Sequence, residues 1–170
     1  DLIKIKEEEE REREELLKES EKNMNSITFS ATGHENILAT HERSFEFTKS
    51  KEISKDADCI MGVNSDYKLE ELEFLKDKVK VKITIDVENL KEEIIAYGSP
   101  ELTFSDEGFV VRMTNVINPK TGAIYADKSS KTINKKLIEK MKHKETKMTI
   151  TIEVIEKYEK LDFYEGLSMF

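Results

Sequence analysis

Val79-Lys80-Val81-Lys82-Ile83-Thr84-Ile85-Asp86-Val87 is the stretch that decides the fold. Apolar β-branched residues stand at every second position and polar ones fill the gaps. That period of two lays one face of a strand on a core and leaves the other face wet. Lys147 to Ile155 repeats the pattern, with Met148, Ile150, Ile152 and Val154 inward. Working outward, Ile27 to Ala31 and Arg43 to Thr48 alternate over shorter spans. Ala57 to Val63 is a nearly continuous apolar run, as for a strand covered on both faces. Glu92 to Tyr97, Phe109 to Thr114 and Ala123 to Tyr125 are bounded by turn signals at Gly98-Ser99-Pro100, Asp106-Glu107-Gly108 and Asn118-Pro119-Lys120-Thr121-Gly122. This gives about eight strands, and the class is β-rich α+β with a mostly antiparallel, sandwich-like body.

Two segments carry helical spacing instead. Tyr67 to Asp77 places Leu69, Leu72 and Leu75 three apart, and Ser130 to Lys144 places Ile133, Leu137, Ile138 and Met141 on one stripe. Asp66 and Asp127 precede them, and Asp is a strong N-cap because its carboxylate accepts the unpaired amides of the first turn. Val63-Asn64-Ser65-Asp66 beside Ile124-Tyr125-Ala126-Asp127 then gives one order twice: strand, Asp, helix, long alternating strand. An internal repeat of two similar halves about a pseudo-twofold axis is the expectation.

The run Ala31-Thr32-Gly33-His34-Glu35-Asn36-Ile37-Leu38-Ala39-Thr40-His41, then Asp58-Cys59-Ile60-Met61-Gly62-Val63, then Ala126-Asp127-Lys128, resembles an archaeal family known only as domain of unknown function 371. The resemblance runs from about Ser26 to Ile155. It implies a compact β-rich sandwich with helices packed against it, in cytosolic archaeal proteins, and it implies no activity. Glu35 stands where the family pattern suggests Pro, and Leu38 where it suggests Arg.

The ends of the chain differ from this body. Residues 1–23 read as a charged helical arm, with ten acids and six bases in Asp1 to Lys22 and apolar clusters only at Leu2, Ile3, Ile5 and at Leu16, Leu17. Residues 24–156 form the domain, and 157–170 read as an apolar tail that docks on the body or on a partner, with Leu161, Phe163, Tyr164, Leu167, Met169 and Phe170. A homo-oligomer or a protein partner held through arm and tail is the expected association. A formal net charge of -8 argues against bulk nucleic-acid binding, and no apolar run is long enough to span a membrane. One cysteine and three histidines exclude a disulfide framework, and the cytoplasm is the expected compartment. The 24 Lys against 4 Arg, and 27 Glu against 9 Asp, fit a thermophile or an AT-rich genome.

Several groups carry candidate chemistry. A hairpin centred between Ile37 and Leu38 would set His34 opposite His41, and with Asp58 they could hold a divalent metal. The structural alternative is that Gly33, Asn36 and Thr40 shape a turn while the imidazoles bond to backbone. Cys59 reads as a small buried hydrophobe rather than a nucleophile. Asp127 and Lys128, approached by Arg112, could bind an anion at a helix start, against a plain cap with a solvated lysine. Lys131, Lys135, Lys136 and Lys142 lie on a basic helix face that could meet RNA, although no aromatic residue for stacking accompanies them. The candidate ligand-binding set is therefore His34, Asn36, His41, Asp58, Arg112, Asp127 and Lys128, with no cofactor named. The sequence reads as a binding or interaction module without established catalysis; the alternative is a small-ligand protein or enzyme with a pocket around His34, His41, Asp58, Asp127 and Lys128.

Overall fold

A computed structural model describes residues 1–160, without the side chains of 18–24. An N-terminal helix, α1 (Leu2–Met24), leads into β1 (Ser26–Thr32), β2 (Ser44–Thr48), β3 (Ile60–Gly62), β4 (Val79–Val87), β5 (Leu90–Tyr97), β6 (Gly108–Arg112) and β7 (Thr121–Ala123). A short helix, α2 (Lys135–Met141), and the long β8 (Lys147–Lys157) follow. Four strands form an antiparallel sheet in the order β1-β8-β4-β5, and four form a second in the order β3-β2-β6-β7. In the second sheet the central pair β2·β6 is antiparallel and the outer pairs β2·β3 and β6·β7 are parallel.

The alternation of β4 is realised residue for residue. Val79, Val81, Ile83, Ile85 and Val87 are fully buried, facing Ile152, Ile150 and Met148 of β8 along the ladder. Each such isoleucine contributes about 1.5–3 kcal/mol by leaving water. From the other sheet come Phe45, Phe47, Phe109 and Val111, so the core is the filling between the two sheets. The sheets also meet at both edges. Thr32 at the end of β1 pairs with Val63 just after β3, and Tyr97 at the end of β5 pairs with Ile124 just after β7.

Those two bridges belong to a duplication. In the first half, Ser30 donates its N–H to the Asp66 carboxylate at 2.7 Å while Asp66 N–H returns to the Ser30 carbonyl at 3.1 Å. In the second half, Ile95 and Asp127 exchange the same two bonds, each at 3.0 Å. Asn64 and Tyr125 both hold left-handed backbone, with φ of 53° and 52°. The Ser65 and Ala126 amides both donate at 2.9 Å to the ends of β2 and β6, at Thr48 and Arg112. The repeat read from four positions thus extends through residues 26–88 and 90–157.

The helices depart from expectation, and so do their caps. Tyr67 to Asp77 holds a 3₁₀ helix over Leu69–Lys76, and Ser130 to Lys144 is split into a 3₁₀ turn at Ser130–Thr132 and α2, capped by the Asn134 side chain on Lys136 N–H at 2.8 Å. Asp66 and Asp127 are not N-caps. Both carboxylates instead complete edge strands of the first sheet, supplying an acceptor to an amide that would otherwise point at solvent. The Ala57 to Val63 strand shortens to Ile60–Gly62, because Asp58 turns its carbonyl to Thr40 and His41 N–H rather than to a ladder. No hairpin joins His34 to His41; residues 33–43 form a loop crossed by turns.

Candidate functional site

An open groove of about 720 Å³ lies where β1 of the first half ends. Four separate segments wall it: Gly33 to Glu35 beyond β1, Lys51 and Glu52 beyond β2, Val63 and Asn64 beyond β3, and Lys142 to Glu145 beyond α2. His34 is nearly buried, and both ring nitrogens are engaged. Its Nδ1 accepts the Asn36 N–H at 3.0 Å, so the neutral ring carries its proton on Nε2, which donates to Glu52 Oε2 at 2.9 Å. Asn36 is fixed in turn by donating to the Ile53 carbonyl at 2.9 Å. Asn64 tolerates its left-handed φ and donates from Nδ2 to Thr32 Oγ1 at 3.0 Å. The wall carries three lysines, three glutamates and two histidines, so its charge is balanced.

The pseudo-twofold axis puts a second groove, of about 400 Å³, at the equivalent place in the other half. Ser99 stands for His34, Pro100 for Glu35, Ile124 for Val63, Tyr125 for Asn64 and Asn115 for Lys51. Here the walls are more apolar and include a residue with no counterpart, Tyr158. Its N–H donates to the Lys78 carbonyl at 3.0 Å, its hydroxyl to the Gly98 carbonyl at 2.7 Å, and its ring meets Tyr97 edge-on at 5.8 Å. Burial above all, then Asp77, raises the Tyr158 phenol from its ordinary pKa. The asymmetry has a chain-level cause. After β4 the backbone reverses at once through Glu88 and Asn89 into β5, whereas the chain leaving β8 continues to Tyr158 at the second groove.

The remaining candidates are dispersed. His41 and Asp58 line a separate depression with Thr40, Glu42 and Arg43. His41 Nδ1 accepts from Arg43 N–H and meets Ser44 Oγ, both at 3.1 Å, which is the backbone-bonded alternative. His34 belongs to the first groove, so the two imidazoles do not face one another across a hairpin. Among the described residues no group of three or more His, Cys, Asp or Glu could hold a metal ion. Arg112 donates from Nε to Thr121 Oγ1 at 2.9 Å, inside its own sheet. Lys128 pairs with Glu92 at 2.7 Å, and the other Glu92 oxygen accepts the Asn134 N–H at 2.9 Å. Asp127, Lys128 and Arg112 therefore each have a structural partner. On the basic face, Lys131 pairs with Glu42, Lys142 with Glu139, and Lys135 donates to the Lys131 carbonyl. Lys131 holds the Glu42 carboxyl below its usual range. Lys136 lies exposed on α2.

Cys59 has the setting of an inert thiol. Its Sγ donates to Glu46 Oε1 at 3.7 Å, and burial, then Glu46 and Asp58, push its pKa up to about 12. A thiol retained in the folded state gives stability that is fully present below the unfolded pKa of about 8.5 and is lost as pH rises toward 12. Alkylation by iodoacetamide at pH 8.5 is expected to be at least tenfold slower on native protein than on the urea-unfolded chain. Equal rates would show an open, reactive sulfur.

Lys51, Glu52, Asn64 and His143 are the groove residues that sequence reasoning passed over. Asn64 alone carried a signal, as a residue apt for left-handed backbone inside the repeated motif.

Residues 29–155 match the family described as Domain of unknown function (DUF371). The chain belongs to this family. It is also similar to an uncharacterised protein of Methanocaldococcus jannaschii, with 34% identity over 118 residues, which is 66% of this chain and 87% of that protein. The DUF371 match takes in both halves of the duplication and both grooves, while α1 and the residues after Ile155 lie outside it. Among the described residues, no helix is long and apolar enough to cross a membrane.

Proposed function

We propose that this protein is a binding module that takes a small ligand of mixed charge, such as a charged peptide, in the open groove of its first half. The observation that carries the reading is the asymmetry of the two equivalent grooves. One is smaller, more apolar and walled by the chain's own Tyr158; the other is larger and lined by several residues of both signs of charge, with His34 held in one tautomer. A wall of three lysines and three glutamates suits a zwitterion better than a polyanion, because each charge of the ligand finds an opposite partner. No pair of groups in it has the arrangement of nucleophile and base, so binding is favoured over catalysis.

The test is amide chemical-shift mapping with three probes: a Lys/Glu dipeptide, inorganic phosphate and a mononucleotide. The dipeptide is expected to shift Gly33, His34, Asn64 and His143, and the response is expected to fall at least tenfold in affinity in Lys51→Glu. Shifts centred on His41 and Asp58, or on Asp127 and Lys128, would instead place a site in the other candidate set and overturn the reading.

Association through the charged arm belongs to the same proposal. Leu2 is 76% exposed, and Ile3, Ile5, Leu16 and Leu17 also stand in solvent on a helix whose other residues up to Glu15 are charged. A protein partner or a second copy would cover them. A reducing, cytoplasmic setting fits a single thiol kept protonated.

A further inference from the structure

We infer that two copies of this chain pair through α1, the two helices running antiparallel with Glu9 of each facing Arg13 of the other. This rests on the reading of α1 as an association element and is independent of what the groove binds. Every residue from Asp1 to Leu17 stands in solvent, so the body of its own chain leaves this part of the helix uncovered. At about 100° per residue, Leu2, Ile3, Ile5, Leu16 and Leu17, all more than half exposed, fall within one arc of about 160°. They occupy its two ends, about 17 Å apart from Ile5 to Leu16, and Lys6, Glu9, Glu10 and Arg13 fill the same arc between them. The part of the expected apolar tail beyond residue 160 lies outside the described residues and plays no part in this surface.

Spacing selects the partner. A surface that covers both ends must offer two apolar patches at that separation with charge between them, and α1 of a second copy carries that pattern. Charge then selects the direction. Laid parallel, the helices set Lys6, Glu9 and Arg13 each against its own counterpart, three like-charge contacts along the seam. Reversed, with Glu9 opposite Arg13, the seam holds two opposite pairs related by the twofold axis. The same register sets Ile5 opposite Leu17, and Lys6 opposite Leu16, where its methylene stem covers the leucine and its ammonium stays in water. Glu10 lies at the margin of the arc, where a solvated charge counts for little. The arrangement is isologous and closed, so it stops at two copies. Reversal also leads the two bodies away from each other, because each follows the C-terminal end of its own helix. One helix pair buries less than about 1,200 Å², the weak and transient class of contact, so the pairing fills in with concentration.

Sedimentation of the full chain over about 5 μM to about 1 mM, a range that brackets weak association, reads the pairing as a mass rising from one chain toward two. Leu16→Asp is expected to abolish that rise. Arg13→Glu and Glu9→Arg each turn both facing pairs into like charges, and each is expected to weaken the dimer about tenfold. The double variant Glu9→Arg with Arg13→Glu restores opposite charges and is expected to return to within about threefold of the native dissociation constant. Circular dichroism confirms that helix and body persist in each variant. A chain that stays monomeric throughout would overturn the inference while leaving the reading of the groove standing, since the dipeptide shifts are read on a monomer. A dimer that Leu16→Asp leaves intact would place the contact on another surface and overturn it as well. Single reversals without effect, or a double variant no better than the singles, would exclude the antiparallel register and overturn it too.

Discussion

Gly33→Ala and Gly98→Ala are each expected to lower the unfolding free energy by about 3 kcal/mol and the melting temperature by roughly 10 °C. The two glycines occupy equivalent points, where β1 and β5 leave the first sheet and pass under carbonyls of the opposite half. A Cβ on Gly33 would stand 2.0 Å from the His143 oxygen and 2.5 Å from the Met141 oxygen. One on Gly98 would stand 2.4 Å from the Leu75 oxygen and 3.0 Å from the Asp77 oxygen. These obstacles are backbone, which cannot rotate aside as a side chain can. The crossing is also stitched by Gly33 N–H to Thr146 at 3.0 Å and His34 N–H to Met141 at 2.9 Å, and by Gly98 N–H to Val79 and Ser99 N–H to Leu75, both at 2.9 Å. Moving the chains apart to admit a methyl lengthens two bonds worth about 1 kcal/mol each and adds packing strain. Urea titration measures the result. A loss below 1 kcal/mol at either glycine would show that the halves slide freely over one another. Gly33→Ala should also disturb the first groove, while Gly98→Ala should leave it intact.

Phe29→Ala carries the larger expected loss, about 4 kcal/mol. Phe29 points from β1 of the first sheet into three rings from elsewhere: Phe47 at 5.7 Å, Tyr67 at 5.4 Å and Phe109 at 6.3 Å, the first two edge-on. Edge-to-face pairs add about 0.5–1.5 kcal/mol beyond burial. Tyr67 cannot follow into the vacated space, because its hydroxyl donates to the Ser105 carbonyl at 2.8 Å and Lys49 Nζ lies 4.5 Å from its ring centre. The cavity therefore stays open, the condition under which truncation is most damaging. Phe29→Leu is expected to cost less than half as much. Denaturant midpoints at unchanged slope distinguish lost stability from a change in the unfolded state. A loss under 2 kcal/mol for Phe29→Ala would mean that the sheets close over the gap.

The strands were legible because a half-buried strand writes its burial into alternate residues, and β4 does so along its whole length and β8 from Met148 to Ile152. The helical segments were only half legible. Leu69, Leu72 and Leu75 repeat every three residues, which suits a 3₁₀ helix of three residues per turn as well as it suits an α-helix. Asp66 and Asp127 were correctly paired as equivalent, yet their partners lie 36 and 32 residues upstream on edge strands, where local spacing gives no sign of them. The groove was illegible for the same reason in stronger form. Its walls come from four loops scattered between Gly33 and Glu145, and none of those loops holds a motif. His34 and His41 looked like a pair because they are close in sequence, and the loop between them sends each to a different depression.

The strand order has a consequence for how the polypeptide is made. In the sheet β1-β8-β4-β5 the two halves alternate, so no strand of either half neighbours another strand of its own half. A nascent chain emerging from the ribosome can zip β4 to β5 through their tight turn, but β1 must wait, its Ile27 and Phe29 unpaired, until residues 147–157 have been translated. During that interval the exposed first strand is the segment open to capture by chaperones or by another nascent chain. Assembly of this body is therefore a late, concerted event that follows synthesis rather than keeping pace with it.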